Sequence, residues 1–210
     1  MLTEEIRRLV ENATVRLPAT GGQGVLVEGG VILTAAHCIE WDGHGAMVLG
    51  DHFLTDVTTR DGRAHQVAPL AVEPVTDIAV LGALDGQTFY DKCEAFEEWC
   101  EQTPGVRVGR VEYPLFTPIP VYVLSHEGGW LPGTVQQCRE EAQMLALEMI
   151  LPIKSGTSGG PIVDGSGALL GIVSNAGGSD AVEAGGRSGN CPRPHLALPV
   201  WVCRTVLSIR

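Results

Sequence analysis

The sequence predicts an all-β protein in which short antiparallel strands close into barrels. Short apolar segments recur along most of the 210 residues, and turn residues separate them. The chain also contains 27 glycines, the residue type that tight hairpins accept at positive φ. Only 19% of the residues are charged, which favours a compact fold over a disordered chain.

The first half of the chain is predicted to begin with a helix and to continue as strands. Thr3 precedes two acids, and apolar residues then recur at helical spacing as far as Val10. The segment Glu28-Gly29-Gly30-Val31 has the glycines of a tight hairpin, and Asp61-Gly62 forms a further turn. The predicted strands cover residues 13–17, 24–34, 46–49, 53–59 and 67–72, and a further strand starts at Asp77.

Residues 88–102, FYDKCEAFEEWCEQT, interrupt the strand pattern. Apolar side chains recur there at helical intervals from Phe89 to Cys100, and acids occupy the other faces. We expect a helical linker or insertion between two barrels. Its acidic face is interpreted as solvated, with docking of a partner protein as the alternative.

The second half of the chain returns to short strands and ends in a predicted helix. These strands cover residues 106–111, 119–124, 133–138, 144–151, 161–163 and 169–174. Pro199 would start the closing helix. We expect one functional unit over residues 1–210, with a first barrel over about 13–85, a linker over 86–105, a second barrel over 106–197 and the helix over 199–209.

Three motifs carry residues suited to nucleophilic catalysis. Ser158 lies in a glycine-rich turn, Ser-Gly-Thr-Ser-Gly-Gly, which could present a hydroxyl and two amide donors together. A serine hydroxyl is a weak nucleophile until a base removes its proton. His37, in TAAHC, and Asp77, in TDIAVL, would supply the base and the carboxylate that orients it.

TAAHC, TDIAVL and GTSGGP together resemble the signatures of trypsin-like serine proteases. The resemblance spans the chain from Gly22 to the predicted closing helix, and the order His, Asp, Ser is that of the chymotrypsin type. It implies two antiparallel six-stranded β-barrels of the chymotrypsin-like fold, with short helices at the two ends. It also implies peptide-bond hydrolysis without a cofactor or a metal.

The resemblance also implies a role for each site residue. His37, Asp77 and Ser158 would form the catalytic triad, and the amides of Gly156 and Ser158 would form the oxyanion hole. The segment Val173–Ala176 corresponds to the strand with which the family pairs an extended peptide substrate. The pocket beside it would be uncharged and would favour a small or medium apolar residue before the scissile bond. The corresponding substrate-binding residues are Pro152, Ile153, Val173, Ser174, Asn175 and Ala176.

Two departures from the secreted members of the family indicate a particular subtype. Thr157 stands where proteases derived from zymogens carry an aspartate that pairs with a new amino terminus. A helix and a strand are also predicted before Gly21-Gly22, so activation by amino-terminal cleavage is not expected. The chain is most similar to the bacterial HtrA-like type, without an appended PDZ domain.

Charge and cysteine usage bear on partners and compartment. A net charge of −11 without a run of Lys or Arg argues against binding of nucleic acid. The amino terminus has no secretion signal and no segment reaches membrane-spanning length, so we expect a cytoplasmic protein. Secreted members of the family that the chain resembles bridge the cysteine after the catalytic histidine to one on the preceding strand, but residues 21–33 hold no cysteine. Cys38 is therefore expected to be a reduced core thiol. The alternative of a zinc site lacks CxxC or HxxxH spacing.

Three functions remain open from the sequence. The first is an active intracellular serine endopeptidase that cleaves protein or peptide substrates. The second is a latent protease that an activating protein partner switches on, as the effector of a signalling or defence assembly. The third is a protease-like scaffold that binds peptides without cutting them. The remaining histidines, which include His65 and His126, are assigned no role and are expected at the surface.

Overall fold

The computed structural model describes residues 1–40, 54–73, 77–109, 117–137, 145–175 and 195–199. In these ranges twelve strands form two closed antiparallel barrels of six strands each, accompanied by two α-helices. The predicted all-β, chymotrypsin-like architecture is confirmed. The predicted strand over 46–49 and residues 200–209 of the predicted closing helix lie outside the described residues.

The first barrel has the strand order β1-β2-β3-β6-β5-β4 and closes where Arg16 of β1 lies opposite Thr58 of β4. Gly29 and Gly30 adopt positive φ in the β2–β3 hairpin, as its sequence predicts. The six strands are β1 Thr14–Leu17, β2 Gly22–Val27, β3 Val31–Ala35, β4 Thr55–Thr58, β5 Ala64–Glu73 and β6 Ile78–Gly82.

The second barrel has the order β10-β11-β12-β9-β8-β7 and closes where Ile162 lies opposite Val123. The strand predicted over 106–111 is wrong in the described part, since Val106 and Val108 form only isolated parallel bridges. Pro199, the predicted first residue of the closing helix, instead belongs to strand β12. The six strands are β7 Ile119–Leu124, β8 Trp130–Gln137, β9 Leu145–Met149, β10 Pro161–Val163, β11 Leu169–Asn175 and β12 His195–Pro199.

The two barrels share apolar packing at their junction. One cluster of buried side chains fills the first barrel and continues into Val163, Leu169 and Ile172 of the second. A separate cluster, which includes Val121 and Leu147, fills the second barrel. Burial of these apolar side chains is the main contribution to the stability of the fold. The junction therefore fixes the position of β3 relative to β11, the strands next to the candidate site.

Helix α1, Glu4–Ala13, is capped by Thr3, as the sequence predicts. The Thr3 hydroxyl accepts a hydrogen bond from the amide of Ile6 at 3.3 Å, and this satisfies one of the donors that a helix start leaves free. Val10 and Ala13 are buried against the first barrel, and Ile6 lies beside Gly167 of the β10–β11 turn. The helix thus contacts both barrels.

Helix α2, Tyr90–Gln102, is the predicted insertion between the barrels. It buries Phe96 and Trp99 against β5, where the His65 ring stacks on Trp99 at a centroid distance of 5.5 Å. His65 is only 8% exposed, so its expected surface placement is wrong. The acidic side chains of the helix are exposed, as the solvated interpretation requires. Neither helix in the described ranges is long and apolar enough to cross a membrane.

Candidate active site

His37 and Asp77 form a hydrogen-bonded pair at one end of the first barrel. His37 lies in a single 3₁₀ turn after β3, and Asp77 directly precedes β6, the neighbour of β3. The Asp77 carboxylate accepts from the His37 amide at 2.9 Å and lies 2.8 Å from His37 Nδ1. Asp77 has φ 56, a left-handed conformation that aspartate tolerates better than most residues. Because Nδ1 is engaged, Nε2 is the ring nitrogen available for another partner.

Ser174 attaches this pair to the second barrel. Its hydroxyl donates to Asp77 Oδ2 at 2.6 Å. The pairing of β11 with β12 shifts register between Val173 and Asn175, and such an irregularity re-aims side chains. Ser174 belongs to the segment predicted to bind substrate, and its side chain contacts the Asp77 carboxylate from the second barrel.

The pair shifts the pKa values of both side chains. Hydrogen bonding to Asp77, with a smaller contribution from Cys38, raises the pKa of His37 to about 10. Burial alone would raise the pKa of Asp77. Hydrogen bonds from the His37 ring, from Ser174 and from the His37 amide outweigh burial and lower the pKa of Asp77. The site is therefore electrostatically suited to an imidazolium beside an ionised carboxylate.

The turn that carries Ser158 is shaped by two glycines and by main-chain contacts. Gly156 and Gly159 adopt φ of 90° and 77°, which other residues rarely do. The Gly159 amide donates to the Val173 carbonyl of β11 at 2.7 Å, and the Ser158 carbonyl accepts from the Gln23 amide of β2 at 2.7 Å. A Cβ at Gly159 would lie 1.9 Å from the Gln23 carbonyl oxygen. The turn is thus fastened to both barrels.

Gly22 lies between the residue after His37 and the Ser158 turn. A Cβ at Gly22 would be 2.6 Å from Cys38 Sγ and 3.3 Å from the Ser158 carbonyl oxygen. The glycine therefore lets the two motifs approach closely. Cys38 itself is buried and free, as the sequence predicts.

The two amides predicted to form the oxyanion hole and the Ser158 hydroxyl have no hydrogen-bond partners in the described part of the chain. The amide of Thr157 donates to the Lys154 carbonyl at 3.3 Å. No described acceptor engages the amides of Gly156 and Ser158, and no hydrogen bond joins the Ser158 hydroxyl to His37 among these residues.

His126 is a neighbour of the turn that the sequence did not reveal. It lies between β7 and β8, where its amide and Nδ1 are each 3.4 Å from Thr157 Oγ1. A Cβ at Gly156 would be 3.3 Å from the His126 ring. Lys154 also pairs with Glu127 at 2.9 Å, which lowers the pKa of Glu127. The contact with Thr157 is made across 31 residues, so no local signal predicts it.

The remaining predicted site residues occupy different environments. Ile153 and Val173 are buried in the core of the second barrel, whereas Pro152 is exposed. Asn175 belongs to β11, and Ala176 lies outside the described residues. Within the described ranges, no group of three or more His, Cys, Asp or Glu side chains could hold a metal ion.

Comparison with solved structures supports the same fold. An HtrA-type protease, AlgW with a decapeptide, is 21% identical with a TM-score of 0.56 over 89% of this chain, which spans 50% of the AlgW chain. Rv3671c from M. tuberculosis, a serine-to-alanine mutant in an inactive form, is 14% identical with a TM-score of 0.59. The match covers 99% of this chain and 91% of the Rv3671c chain. A serine endoprotease from Yersinia pestis is 19% identical with a TM-score of 0.62, covering 100% of this chain and 66% of its own.

At these identities the structural likeness establishes the fold alone. No curated protein sequence matches the chain. A family model does match, the trypsin-like peptidase domain, over residues 22–172, a range that contains the His37, Asp77 and Ser158 motifs. The chain therefore belongs to the trypsin-like peptidase family.

Proposed function

We propose that this protein is a serine endopeptidase with His37, Asp77 and Ser158 as its catalytic triad. The observation that carries the proposal is the His37–Asp77 pair, held at 2.8 Å and joined through Ser174 to the strand that also fastens the Ser158 turn. Such a pair stabilises the imidazolium that forms when histidine removes a proton from serine. Membership of the trypsin-like peptidase family supports the same chemistry.

In the proposed reaction, Ser158 Oγ attacks the scissile carbonyl carbon while His37 Nε2 takes the hydroxyl proton. The negative charge that develops on the carbonyl oxygen is stabilised by the amides of Gly156 and Ser158. The C–N bond then breaks as His37 returns the proton to the leaving amine. Water, deprotonated by His37, attacks the acyl-enzyme, and Ser158 leaves as a restored hydroxyl.

We propose an uncharged residue before the scissile bond. Between Ile150 and Ser158 the only charged side chain is Lys154, and Glu127 neutralises it. No fixed charge of that segment is therefore left to select a charged substrate residue. Sequencing the cleavage sites in a mixed peptide library should show small or medium apolar residues at this position.

We also propose a reducing compartment such as the cytoplasm. Gly22 lies directly across from Cys38, at the position where a second cysteine would be needed to form a disulfide. The Cys38 thiol is free. Thiol titration of the denatured, unreduced protein should find Cys38 reactive. A disulfide at Cys38 would contradict this proposal.

A peptide library tests the peptidase activity itself. The protein should cleave library peptides, and the Ser158→Ala variant should lose cleavage by about 10⁴-fold or more. Cleavage that appears only after addition of cell extract would identify a latent enzyme that a partner activates. Binding of peptides without cleavage under both conditions would identify a scaffold and contradict the proposal.

A further inference from the structure

Thr157 lies between Gly156 and Ser158, the two residues whose amides are proposed to form the oxyanion hole. Its side chain is fully buried. In the described part of the chain, its hydroxyl has hydrogen-bond contacts with His126 alone, whose amide and Nδ1 each lie 3.4 Å from Oγ1. A buried hydroxyl without a partner would destabilise the conformation that buries it. His126 is therefore the residue that makes this position of Thr157 favourable.

The two contacts between His126 and Thr157 are chemically compatible. The His126 amide donates to the Thr157 hydroxyl oxygen. The hydroxyl keeps one proton, which it can donate to Nδ1 of the neutral imidazole ring. The hydroxyl is thus both an acceptor and a donor towards the same residue, which restricts the rotation of the Thr157 side chain.

The His126 ring also borders Gly156. A Cβ built at Gly156 would be 3.3 Å from Cγ of the ring and 3.2 Å from the Gly21 carbonyl oxygen, so little free space remains beside this glycine. Glycine can adopt many backbone conformations, and its neighbours have to select the one that presents the amide. The observed φ of 90° is one that the ring and the Gly21 carbonyl enclose. His126 thus contacts both residues that precede Ser158.

The turn that carries His126 is itself held by α1 and β1. Arg16 of β1 donates to the His126 carbonyl at 3.2 Å. At the end of the turn, Trp130 Nε1 donates to the Glu11 carboxylate at 2.8 Å. A side chain can position another residue only when its own backbone is fixed. These two bonds fix the backbone of the β7–β8 turn on both sides of the His126 ring.

We propose that His126 is a positioning residue, which holds the proposed oxyanion amides in place through its contacts with Thr157 and Gly156. Removal of its side chain would leave Ser158 and His37 in the chain but would allow the amides to move away from the oxyanion. This role rests on the proposed peptidase function, whereas the contact between His126 and Thr157 does not.

Steady-state kinetics test the role, with the library peptide that the wild type cleaves fastest. His126→Ala should lower kcat by about tenfold and leave KM within about twofold, because the oxyanion forms only after the substrate has bound. His126→Asn keeps a side-chain acceptor at the place of Nδ1 and should recover most of kcat. Thr157→Val removes the hydroxyl at nearly constant volume and should lower kcat about as much as His126→Ala.

Two further variants serve as controls. The double variant His126→Ala/Thr157→Val should lose little more than either single variant, because both changes remove the same contact. Thr103→Val makes the same exchange at a buried threonine at the end of α2 and should leave kcat unchanged. Thermal unfolding identifies any destabilised variant. If Thr157→Val is destabilised, the comparison of His126→Ala with His126→Asn decides alone.

Four results would overturn the proposed role. They are an unchanged kcat in His126→Ala, a loss confined to KM, a His126→Asn variant as slow as His126→Ala, and fully additive losses in the double variant.

Amide hydrogen exchange separates a failure of this contact from a failure of the proposed function. Residues 155–160 are followed in the Ser158→Ala protein, where the Gly160 amide donates to the Thr157 carbonyl at 2.8 Å. His126→Ala in this background should raise the exchange rate of the segment by about tenfold, and His126→Asn by much less. Unchanged exchange would contradict the contact. Faster exchange, in a protein whose wild type neither cleaves peptides nor reacts with a fluorophosphonate, would establish the contact and contradict the proposed peptidase function.

Discussion

The two halves of the candidate site are held in different ways. His37 and Asp77, in the first barrel, are held by side-chain hydrogen bonds between neighbouring strands. The Ser158 turn of the second barrel is held by main-chain hydrogen bonds to β2 and β11 and by glycines at positive φ. The geometry of the His37–Asp77 pair should therefore be disrupted when a hydrogen-bonding group is removed. The geometry of the Ser158 turn should be disrupted when a side chain is enlarged.

The two halves of the site also differ in how many separate chain segments hold them in place. The direct His37–Asp77 hydrogen bonds depend on the pairing of β3 with β6, and Ser174 of β11 adds one further bond to Asp77. The Ser158 turn needs β2, β11 and the His126 turn at once. A change that disturbs the junction between the barrels should therefore displace Ser158 more than it displaces the His37–Asp77 pair.

The largest effect is expected when the first half of the site loses its carboxylate. Asp77→Asn should lower peptide hydrolysis by about 10⁴-fold, because the amide cannot stabilise the imidazolium or fix the ring tautomer. His37 has to be neutral to act as a base, and Asp77 raises its pKa. The wild-type rate should therefore keep rising with pH above the ordinary histidine value of about 6.5, and Asp77→Asn should move the inflection back towards that value. A full pH–rate profile of both proteins checks this, and an inflection that does not move would contradict the role of Asp77.

The next effect comes from adding volume to the second half. Gly159→Ala places a methyl group 1.9 Å from the Gln23 carbonyl oxygen at a φ of 77°. We expect a loss of about 3–5 kcal/mol in the free energy of unfolding, from overpacking and backbone strain together. Denaturant unfolding measures the loss. Gly165→Ala is the control, because its Cβ would meet nothing within 4 Å and its φ is not positive. Equal stability of the two variants would refute the account of the turn.

A smaller effect is expected at the contact that joins the halves. Ser174→Ala removes the hydroxyl that donates to Asp77 at 2.6 Å, and kcat should fall by about fivefold with a small change in KM. Ser174→Thr keeps the hydroxyl and should retain most of the rate. A change confined to KM would mean that Ser174 contacts substrate and does not position Asp77.

The smallest effect concerns α2, which lies on the first barrel. Burial lowers the pKa of His65, which stacks on Trp99. Because the folded state disfavours the charged ring, the contribution of neutral His65 is fully present above the unfolded value of about 6.5 and is lost as the pH falls through the folded pKa. Thermal unfolding between pH 8 and pH 5 should thus show a decline that is reduced in His65→Phe. An identical decline in the two proteins would exclude His65 as its source.

The sequence predicted what local patterns encode. The Thr3 cap, the Gly29-Gly30 hairpin and the helical insertion are each specified by neighbouring residues, and the structure contains all three. The three motifs that carry His37, Asp77 and Ser158 could be read for the same reason.

The sequence did not reveal contacts made between distant segments. Ser174 reaches Asp77 across 97 residues, and His126 reaches Thr157 across 31. Strand β12 was missed because His195–Pro199 is short and ends in proline, which argues against a strand. The segment from Val106 was interpreted as a strand, but its described residues form only single bridges, to Val27 of the first barrel and Leu169 of the second.

The measurement that tests the central claim most directly is the site of fluorophosphonate attachment, determined by peptide mass spectrometry. The account predicts a single adduct on Ser158 that forms in the wild type and in Ser174→Thr but not in His37→Ala. An adduct on another residue, or one on Ser158 that forms equally well in His37→Ala, would contradict it.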